Sequence, residues 1–350
     1  MTIVRASPRD FPQVWERPSF EDLLACLKHL HAEPPIWFSL ASKKTEAEKQ
    51  EITAQYRREV VAYLSSIVGS GLGWIKDDDE KEIIWDEASR CLSQRCGRAA
   101  MGEITRGWPF ENREHPFELI VREPPIIGDS LGHKTWGSSY LMAQQLDDVA
   151  SRRLLHLLGE NLPDDLRVLE LGSGTGLLGI AAAAMWQTEV VLSDLPEIMP
   201  NLNYNIEQNR ARVEQLGGKL DSGTLIWGSS DGNDPKFSPG NQFDIILAAD
   251  SLYDDNHPGL LASAIHQQLA DSNESRAIVM SPLRDEVTKR LIKKFKAEMR
   301  AGPLPMVIIE QRTITGRDDW GDEDEPQTVE CWWAIFARSS MRYDEWKIDE

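Results

Sequence analysis

A glycine-rich stretch in the middle of the chain, Val168–Ile180 (VLELGSGTGLLGI), constrains the fold more than any other feature of the sequence. The apolar residues up to Leu171 predict a buried strand, and Leu177, Leu178 and Ile180 predict a helix directly after the glycines. Glycine permits a tight turn and leaves room where a ligand approaches the main chain. A helix that begins there adds free N–H groups and a partial positive charge. The stretch therefore predicts a strand, a ligand-binding turn and a helix in an α/β domain.

The region around this stretch has the pattern of a larger sheet. From about residue 136, short β-runs alternate with longer helical segments, which is typical of parallel strands joined by crossover helices. The predicted strands are 167–171, 189–193, 224–227, 243–249 and 277–281. Two more β-runs, 306–313 and 329–337, have no helix between them, so we expect them to pair antiparallel. Residues 131–350 are thus predicted to form a seven-stranded Rossmann-like α/β sheet with a terminal antiparallel hairpin.

The first 130 residues have a different character. Apolar residues at helical spacing predict one helix from Phe20 to Leu30, a second over residues 45–68 and a third that runs through Leu92. The segment 117–121 (FELIV) predicts a short strand between the helical region and the sheet. We interpret residues 1–130 as a helical accessory region that docks the substrate, with a solvated acidic run at residues 77–80.

Charge and composition exclude several classes of protein. The 350 residues include 57 acidic and 38 basic side chains, and the formal net charge is −19. A general positive field for binding nucleic acid is therefore absent. No apolar run approaches the roughly 20 residues that cross a bilayer. The four cysteines lack the spacing of metal ligands, and so do four histidines that are expected to be surface or packing residues, His115, His133, His257 and His266. The sequence predicts a cytoplasmic protein that binds no nucleic acid, membrane or metal.

The glycine turn is expected to bind a nucleoside cofactor. Gly174, Gly176 and Gly179 match the dinucleotide pattern G-x-G-x-x-G, and Asp194 follows at the end of the next strand, where an acid holds ribose. Two features favour S-adenosylmethionine over a dinucleotide. Glu170 suits a ligand with an ammonium group and a cationic sulfur, and a terminal hairpin is not required in a dehydrogenase. A nicotinamide-dependent dehydrogenase is the alternative reading of the same glycines.

Further motifs extend the pattern along the chain. They are GHKTWGSSYLMAQ (132–144), SDLPEIMPNLNYNI (193–206), LIWG (225–228), AADSLY (248–253), GRDDWG (316–321) and RCGRAA (95–100). With the glycine stretch, the chain resembles the seven-β-strand protein methyltransferases of family 16. Within that family it resembles the fungal elongation factor 2 lysine methyltransferases. The last two motifs carry this finer resemblance, and residues 1–130 are only loosely similar to that branch.

The resemblance implies a particular cofactor site. In the family, the residue at Trp136 lies near S-adenosylmethionine, Trp227 flanks the adenine, and Ala249 lies beside the cofactor at the end of the fourth strand. The complete set of expected cofactor-binding residues is Trp136, Glu170, Gly172, Ser173, Gly174, Gly176, Asp194, Trp227 and Ala249.

The D-x-x-Y segment from Asp250 to Tyr253 follows the fourth strand at the edge where open α/β sheets place their ligands. A lysine amine has a reference pKa of about 10.4 and arrives protonated. We expect Asp250 to orient the amine and draw its charge, and Tyr253 to supply a hydrogen bond or a cation–π wall. A turn or helix cap is the structural alternative for Asp250. The basic residues between Arg284 and Arg300 are expected to form the solvated face of a helix.

Three functions agree with these patterns. The first is an S-adenosylmethionine-dependent lysine methyltransferase whose protein partner is translation elongation factor 2. The second is an interaction protein that uses a methyltransferase fold as a scaffold. The third is a methyltransferase of another protein or of a small molecule. An open, acid-lined mouth that admits a lysine side chain would favour a protein substrate.

Overall fold

The computed structural model describes residues 10–30, 46–93, 102–110, 116–125, 131–159, 166–301, 304–317 and 328–338, without the side chains of residues 46–55, 57 and 131. The chain divides into two compact units. Of the described residues, 10–30, 46–93 and 102–104 lie in the first unit, and those from Thr105 onward lie in the second. None of the described helices is long and apolar enough to cross a membrane.

The first unit is helical. Helices α1 (Phe20–His29), α2 (Glu46–Val68) and α3 (Asp78–Ser93) confirm the three predicted helices. The Ser19 hydroxyl caps α1 by accepting the Asp22 N–H at 3.2 Å. One apolar core joins the helices because each contributes buried side chains to it. These include Leu23, Leu27, Val60, Leu64, Ile67, Ile84 and Ala88.

The second unit contains a two-stranded sheet, β1 (Ile104–Phe110) and β2 (Phe117–Glu123), and a seven-stranded sheet. The strands of the larger sheet are β3 (Val168–Leu171), β4 (Glu189–Asp194), β5 (Lys219–Thr224), β6 (Ile245–Ala249), β7 (Arg276–Pro282), β8 (Met306–Arg317) and β9 (Thr328–Arg338). Their order is β5-β4-β3-β6-β7-β9-β8. The first five strands of this order are parallel, and β9 runs antiparallel to both neighbours. The predicted seven-stranded sheet with its terminal hairpin is confirmed.

Helices flank this sheet. They are α4 (Gly137–Arg153), α5 (Leu155–Leu158), α6 (Leu177–Trp186), α7 (Met199–Gln215), α8 (His257–Gln268) and α9 (Glu286–Ala301). Helix α6 is apolar on all sides and almost entirely buried, as expected for a crossover helix enclosed by its neighbours. Helices α8 and α9 pack Leu261, Ile265 and Phe295 into the main core of the sheet. This core holds the carboxyl ends of the parallel strands in place.

One predicted strand was misplaced. The pattern TLIW predicted a strand at 224–227, but β5 comprises Lys219–Thr224 and ends where the predicted strand begins. β5 lies at the edge of the sheet and buries only Leu220 and Gly223, so its sequence is largely polar. Leu225 is apolar because it belongs to the core, although it lies outside a strand.

A ladder of asparagines on α7 holds strand β2. Asn205 accepts the Arg122 N–H at 2.9 Å and donates to the Arg122 carbonyl at 3.0 Å. One helical turn further, Asn209 accepts the Ile120 N–H at 2.9 Å and donates to its carbonyl at 2.7 Å. The amides pair with alternate residues of β2 as a neighbouring strand would. β2 and the residues of β1 from Thr105 onward lie in the second unit, whereas the sequence pattern put the domain boundary at residue 130.

Candidate active site

A cavity of about 520 Å³ opens at the carboxyl ends of β3, β4 and β6. The turns after these strands form its floor, and the segment before α4 forms one wall. Parallel strands end at the same edge of an α/β sheet, which is where such folds bind ligands. Tyr253 and Leu195 line the cavity and are 56% and 40% exposed, so its mouth reaches solvent.

The glycine turn after β3 brings main chain to the cavity. Gly172 and Gly174 have positive φ angles of 66° and 57°, which side-chain-bearing residues rarely adopt. A Cβ at Gly172 would lie 3.2 Å from the Trp227 ring, and one at Gly174 would lie 3.1 Å from the Gly132 carbonyl oxygen. The two glycines therefore keep the turn close to both cavity walls.

Asp194 connects β4 to this turn. One carboxylate oxygen accepts the Gly174 N–H at 2.7 Å, and the other accepts the Leu195 N–H at 2.7 Å. Burial raises the pKa of Asp194 to about 6, and the two N–H groups oppose that rise. Each carboxylate oxygen has a second lone pair, so Asp194 keeps acceptor capacity for ligand hydroxyls.

Glu170 supplies a second buried acid. Its Oε2 accepts the Gly179 N–H at 3.0 Å, near the start of α6, and the side chain also lines the cavity. Burial raises the pKa of Glu170 to about 8, while the Gly179 N–H partly offsets the rise. A cation that enters the cavity would favour the ionised carboxylate. The site thus has an acid whose charge responds to a cationic ligand.

Aromatic side chains also line the cavity. The Trp227 and His257 rings meet edge to face at 6.3 Å between centroids, and the Tyr253 and His257 rings do so at 4.3 Å. Burial lowers the pKa of His257. Burial also raises the pKa of Tyr253, and the negative charges of Asp194 and Asp250 raise it further. A neutral phenol and a largely neutral imidazole therefore face the cavity at neutral pH.

Asp250 lies directly after β6 with a φ of 56°, a left-handed conformation that Asp tolerates better than most residues. Its side chain is buried. Ser138 on α4 donates to Asp250 Oδ2 at 2.7 Å, and both Nη atoms of Arg284 lie 3.3 Å from the carboxylate oxygens. The Arg284 guanidinium also lies over the Trp136 ring, 5.0 Å from its centroid. Asp250 is therefore held by a hydroxyl and a cation.

The structure brings together most of the residues that the sequence indicated. The cavity is lined by Trp136, Glu170, Gly172, Ser173, Gly174, Asp194, Trp227, Ala249, Asp250 and Tyr253. Gly176, also expected to bind cofactor, does not line it. Gly176 begins α6 with a φ of 88°, and a Cβ there would lie 2.7 Å from Leu202 Cδ1. Position 176 therefore requires glycine because of its backbone conformation and its tight packing against α7.

Three residues at the site were not singled out correctly from the sequence. His257 was expected to be a surface or packing residue, and Arg284 to lie on a solvated helix face. Instead His257 lines the cavity, and Arg284 precedes α9 and pairs with Asp250. Ser138 gave no signal of its own, because its role depends on a partner 112 residues away. Across the described residues, no group of three His, Cys, Asp or Glu side chains is placed to hold a metal ion.

The cavity fits S-adenosylmethionine by the chemistry of its lining. Buried acids suit a cationic ligand with ribose hydroxyls, the glycine turn offers close main chain, and Trp227 offers an aromatic face for adenine. This site on a seven-stranded sheet with a terminal antiparallel hairpin defines an S-adenosylmethionine-dependent methyltransferase. The chain belongs to the lysine methyltransferase family, whose model matches residues 117–298.

Two protein-lysine N-methyltransferases that are similar to this chain support the family assignment. The chain is 33% identical over 251 residues to protein-lysine N-methyltransferase EFM2 of Saccharomyces cerevisiae, a match that covers 69% of this chain and 57% of that protein. It is 26% identical over 327 residues to protein-lysine N-methyltransferase rrg1 of Schizosaccharomyces pombe, covering 93% of this chain and 96% of that protein. Among solved structures, P. horikoshii TYW2 in complex with MeSAdo is 14% identical with a TM-score of 0.37, covering 63% of this chain and 69% of that chain.

Proposed function

We propose that this protein methylates a lysine side chain of translation elongation factor 2 in the cytoplasm. The observation that carries lysine methylation is a cofactor cavity that reaches solvent beside the exposed Tyr253 and is also lined by the buried, held carboxylate of Asp250. Two relatives named as protein-lysine N-methyltransferases support a protein substrate. The choice of elongation factor 2 rests on the sequence motifs at 95–100 and 316–321. Of these, only Gly316 and Arg317 lie within the described residues.

The residues have separable tasks in this proposal. Gly172, Gly174 and Asp194 hold the cofactor, Glu170 faces its cationic end, and Trp227 contacts the adenine. When bound, the cofactor supplies a methyl group on a cationic sulfur, and its transfer to a neutral lysine nitrogen leaves S-adenosylhomocysteine and, after one proton is lost to water, methyl-lysine. Because the attack is a displacement at one carbon, the protein mainly positions the amine.

The mouth suits a lysine side chain better than a small molecule enclosed on all sides. Among the residues that line the cavity, Leu195, Glu197 and Tyr253 are exposed to solvent. An aromatic face beside carboxylates attracts a lysine stem and its charged end. This open, partly acidic rim favours a protein substrate over the small-molecule alternative.

The helical first unit is proposed to dock the protein substrate. Asp77, Asp78 and Asp79 are exposed at the start of α3 and form a patch of net negative charge, in which Lys81 pairs with Asp78 at 2.6 Å. Such a patch speeds encounter with a basic surface at low salt. We expect replacement of all three by Asn to raise KM for the protein substrate at low ionic strength, with the cofactor Kd unchanged. A KM that does not depend on these charges would contradict the docking role.

The decisive experiment is methyl transfer from labelled S-adenosylmethionine to recombinant elongation factor 2, followed by mass spectrometry of the labelled peptide. We expect label on a lysine with the wild-type protein and severe loss of label with Gly174→Arg. A cell extract incubated in parallel tests other acceptors. Label on a different protein would overturn the choice of elongation factor 2 but keep lysine methylation. Absence of cofactor binding by calorimetry would instead favour the scaffold alternative.

A further inference from the structure

Arg284 lies beside the catalytic candidate Asp250 but outside the cavity. Its two Nη atoms are 3.3 Å from the two carboxylate oxygens, and its side chain is only 25% exposed. Ser138 donates to the same carboxylate from α4. The carboxylate is thus paired by two residues that do not line the cavity, and its negative charge is largely balanced before any substrate arrives.

This pairing changes what Asp250 offers to a lysine. An unpaired carboxylate would stabilise the ammonium form, which has no lone pair and cannot accept a methyl group. A carboxylate balanced by a guanidinium still accepts a hydrogen bond from an amine N–H, but it attracts a positive charge less. Arg is suited to this task because it remains charged at every working pH.

Resting on the proposed lysine methylation, we propose that Arg284 is a positioning residue that balances the charge of Asp250, so that this buried carboxylate selects the uncharged form of the substrate amine. Arg284 acts through Asp250 and does not touch the substrate. The guanidinium carbon of Arg284 also lies 5.0 Å from the centroid of the Trp136 ring, which lines the cavity and gives the guanidinium a second contact.

Other charges also act on this position, and each stays in place when Arg284 is replaced. Asp285 adjoins Arg284 in the chain, and Asp254 lies in the turn after Tyr253. The remaining titratable groups around the cavity are Lys134, Glu170, Asp194, Glu197, Tyr253 and His257. A comparison of variants at position 284 therefore isolates the guanidinium.

The first test is the pH dependence of methyl transfer to the acceptor that the wild-type protein labels. In Arg284→Gln the ammonium form of the substrate is favoured by the unbalanced carboxylate. We expect the acidic limb of kcat to move to higher pH by about one unit, so kcat at pH 7 falls about tenfold while KM falls or stays level. Arg284→Lys should restore most of the wild-type profile. The control Arg210→Gln removes a half-buried arginine on α7 that pairs with Glu207 and donates to the Leu220 carbonyl, and because Arg210 does not line the cavity the change should alter neither parameter.

A double variant separates charge balance from folding. Asp250→Asn combined with Arg284→Gln removes both charges, and Asn tolerates the left-handed backbone at position 250. In the double variant, we expect the acidic limb of the kcat profile to return toward its wild-type pH, although kcat itself stays below the wild-type value. If Arg284→Gln and the double variant both lose rate without any shift of the profile, Arg284 has only a structural role and the proposal fails.

A binding measurement tests the proposal without turnover. n-Butylammonium carries the lysine headgroup on a four-carbon stem, and n-pentanol is an uncharged comparison. In an NMR titration at pH 7 with S-adenosylhomocysteine present, Arg284→Gln should bind n-butylammonium several times more tightly than the wild type does, with n-pentanol unchanged. If the wild type and Arg284→Gln bind n-butylammonium equally tightly relative to n-pentanol, the proposed role of Arg284 is overturned. Because no protein acceptor is used, this result does not depend on whether elongation factor 2 is the substrate.

Discussion

Asn205 on α7 donates a hydrogen bond to the carbonyl oxygen of Thr175 at 2.9 Å, and the same amide group also donates to the Arg122 carbonyl on β2. Thr175 belongs to the glycine turn, and its hydroxyl hydrogen-bonds that of Thr135 at 2.8 Å in the segment before α4. One buried side chain therefore fixes strand β2 and the cofactor turn together. The hairpin of β1 and β2 is coupled to the active site through this amide.

Asn205→Ala is expected to lower the free energy of unfolding by about 3 kcal/mol, because it leaves buried N–H and carbonyl groups without partners. Cofactor affinity should fall as well, since the turn loses a fixed contact at Thr175. Chemical denaturation and calorimetry measure the two effects. Asn203→Ala on the same helix is the matched control, because Asn203 is exposed and bonds only Ser222 among its described contacts. If Asn205→Ala and Asn203→Ala lose the same unfolding free energy and the same cofactor affinity, the role of Asn205 is contradicted.

Gly174→Ala should weaken cofactor binding more than tenfold. The added Cβ would lie 3.1 Å from the Gly132 carbonyl oxygen, and the φ of 57° disfavours alanine by about 1–2 kcal/mol. Both effects displace the turn that lines the cavity. Gly240→Ala is the control: Gly240 also has a positive φ, of 98°, but a Cβ there meets no atom within 4 Å. It should lose stability and keep the wild-type cofactor Kd. Equal Kd values for the two variants would contradict a specific role of Gly174 in cofactor binding.

Burial of Glu170 predicts a pH effect on stability in the absence of cofactor. Its folded pKa of about 8 exceeds the ordinary value of 4.5, so between these values the folded state binds more protons than the unfolded state. Stability from this group therefore falls as pH rises from about 5 to 8. Between these pH values, the raised pKa lowers the free energy of unfolding by ~3 kcal/mol. Glu170→Gln removes it, since glutamine remains neutral and still accepts the Gly179 N–H.

The measurement is the difference in free energy of unfolding between wild type and Glu170→Gln across that pH range. We expect the wild type to lose stability relative to the variant as the pH is raised. Saturating S-adenosylmethionine should reduce the loss, because a cationic ligand favours the ionised carboxylate. Glu189→Gln, at an exposed position at the start of β4, is the control. Parallel pH curves for wild type and Glu170→Gln would contradict a raised pKa.

The sequence predicts the sheet well because its strongest signals are local. The apolar run of β3, the glycines and the apolar α6 follow one another in the chain, so periodicity and turn chemistry suffice. β5 was misplaced because an edge strand does not need an apolar sequence. The spacing of Asn201, Asn205 and Asn209 by four residues is a visible signal of one helix face, yet only the fold shows that β2 lies against it.

Long-range pairing sets the remaining limit on prediction at the site. Asp250 and Arg284 are separated by 34 positions, and the sequence contains many other acids and arginines. Which of them pair depends on how β6, β7 and the start of α9 meet. The D-x-x-Y motif therefore locates the catalytic candidate, whereas its cationic partner emerges only when the strands are assembled.

Trp227 provides the last prediction, because its ring lies against Gly172 at the cofactor turn and lines the cavity. If the ring contacts adenine, Trp227→Leu should raise the cofactor Kd about tenfold, since base–aromatic stacking contributes about 1–3 kcal/mol. Trp227→Phe keeps an aromatic face and should retain most of the affinity. Calorimetry with S-adenosylmethionine and with methionine alone separates the adenine contact from the rest of the site. Trp227→Leu should leave methionine binding unchanged, and an equal loss for both ligands would show that the whole cavity has been distorted.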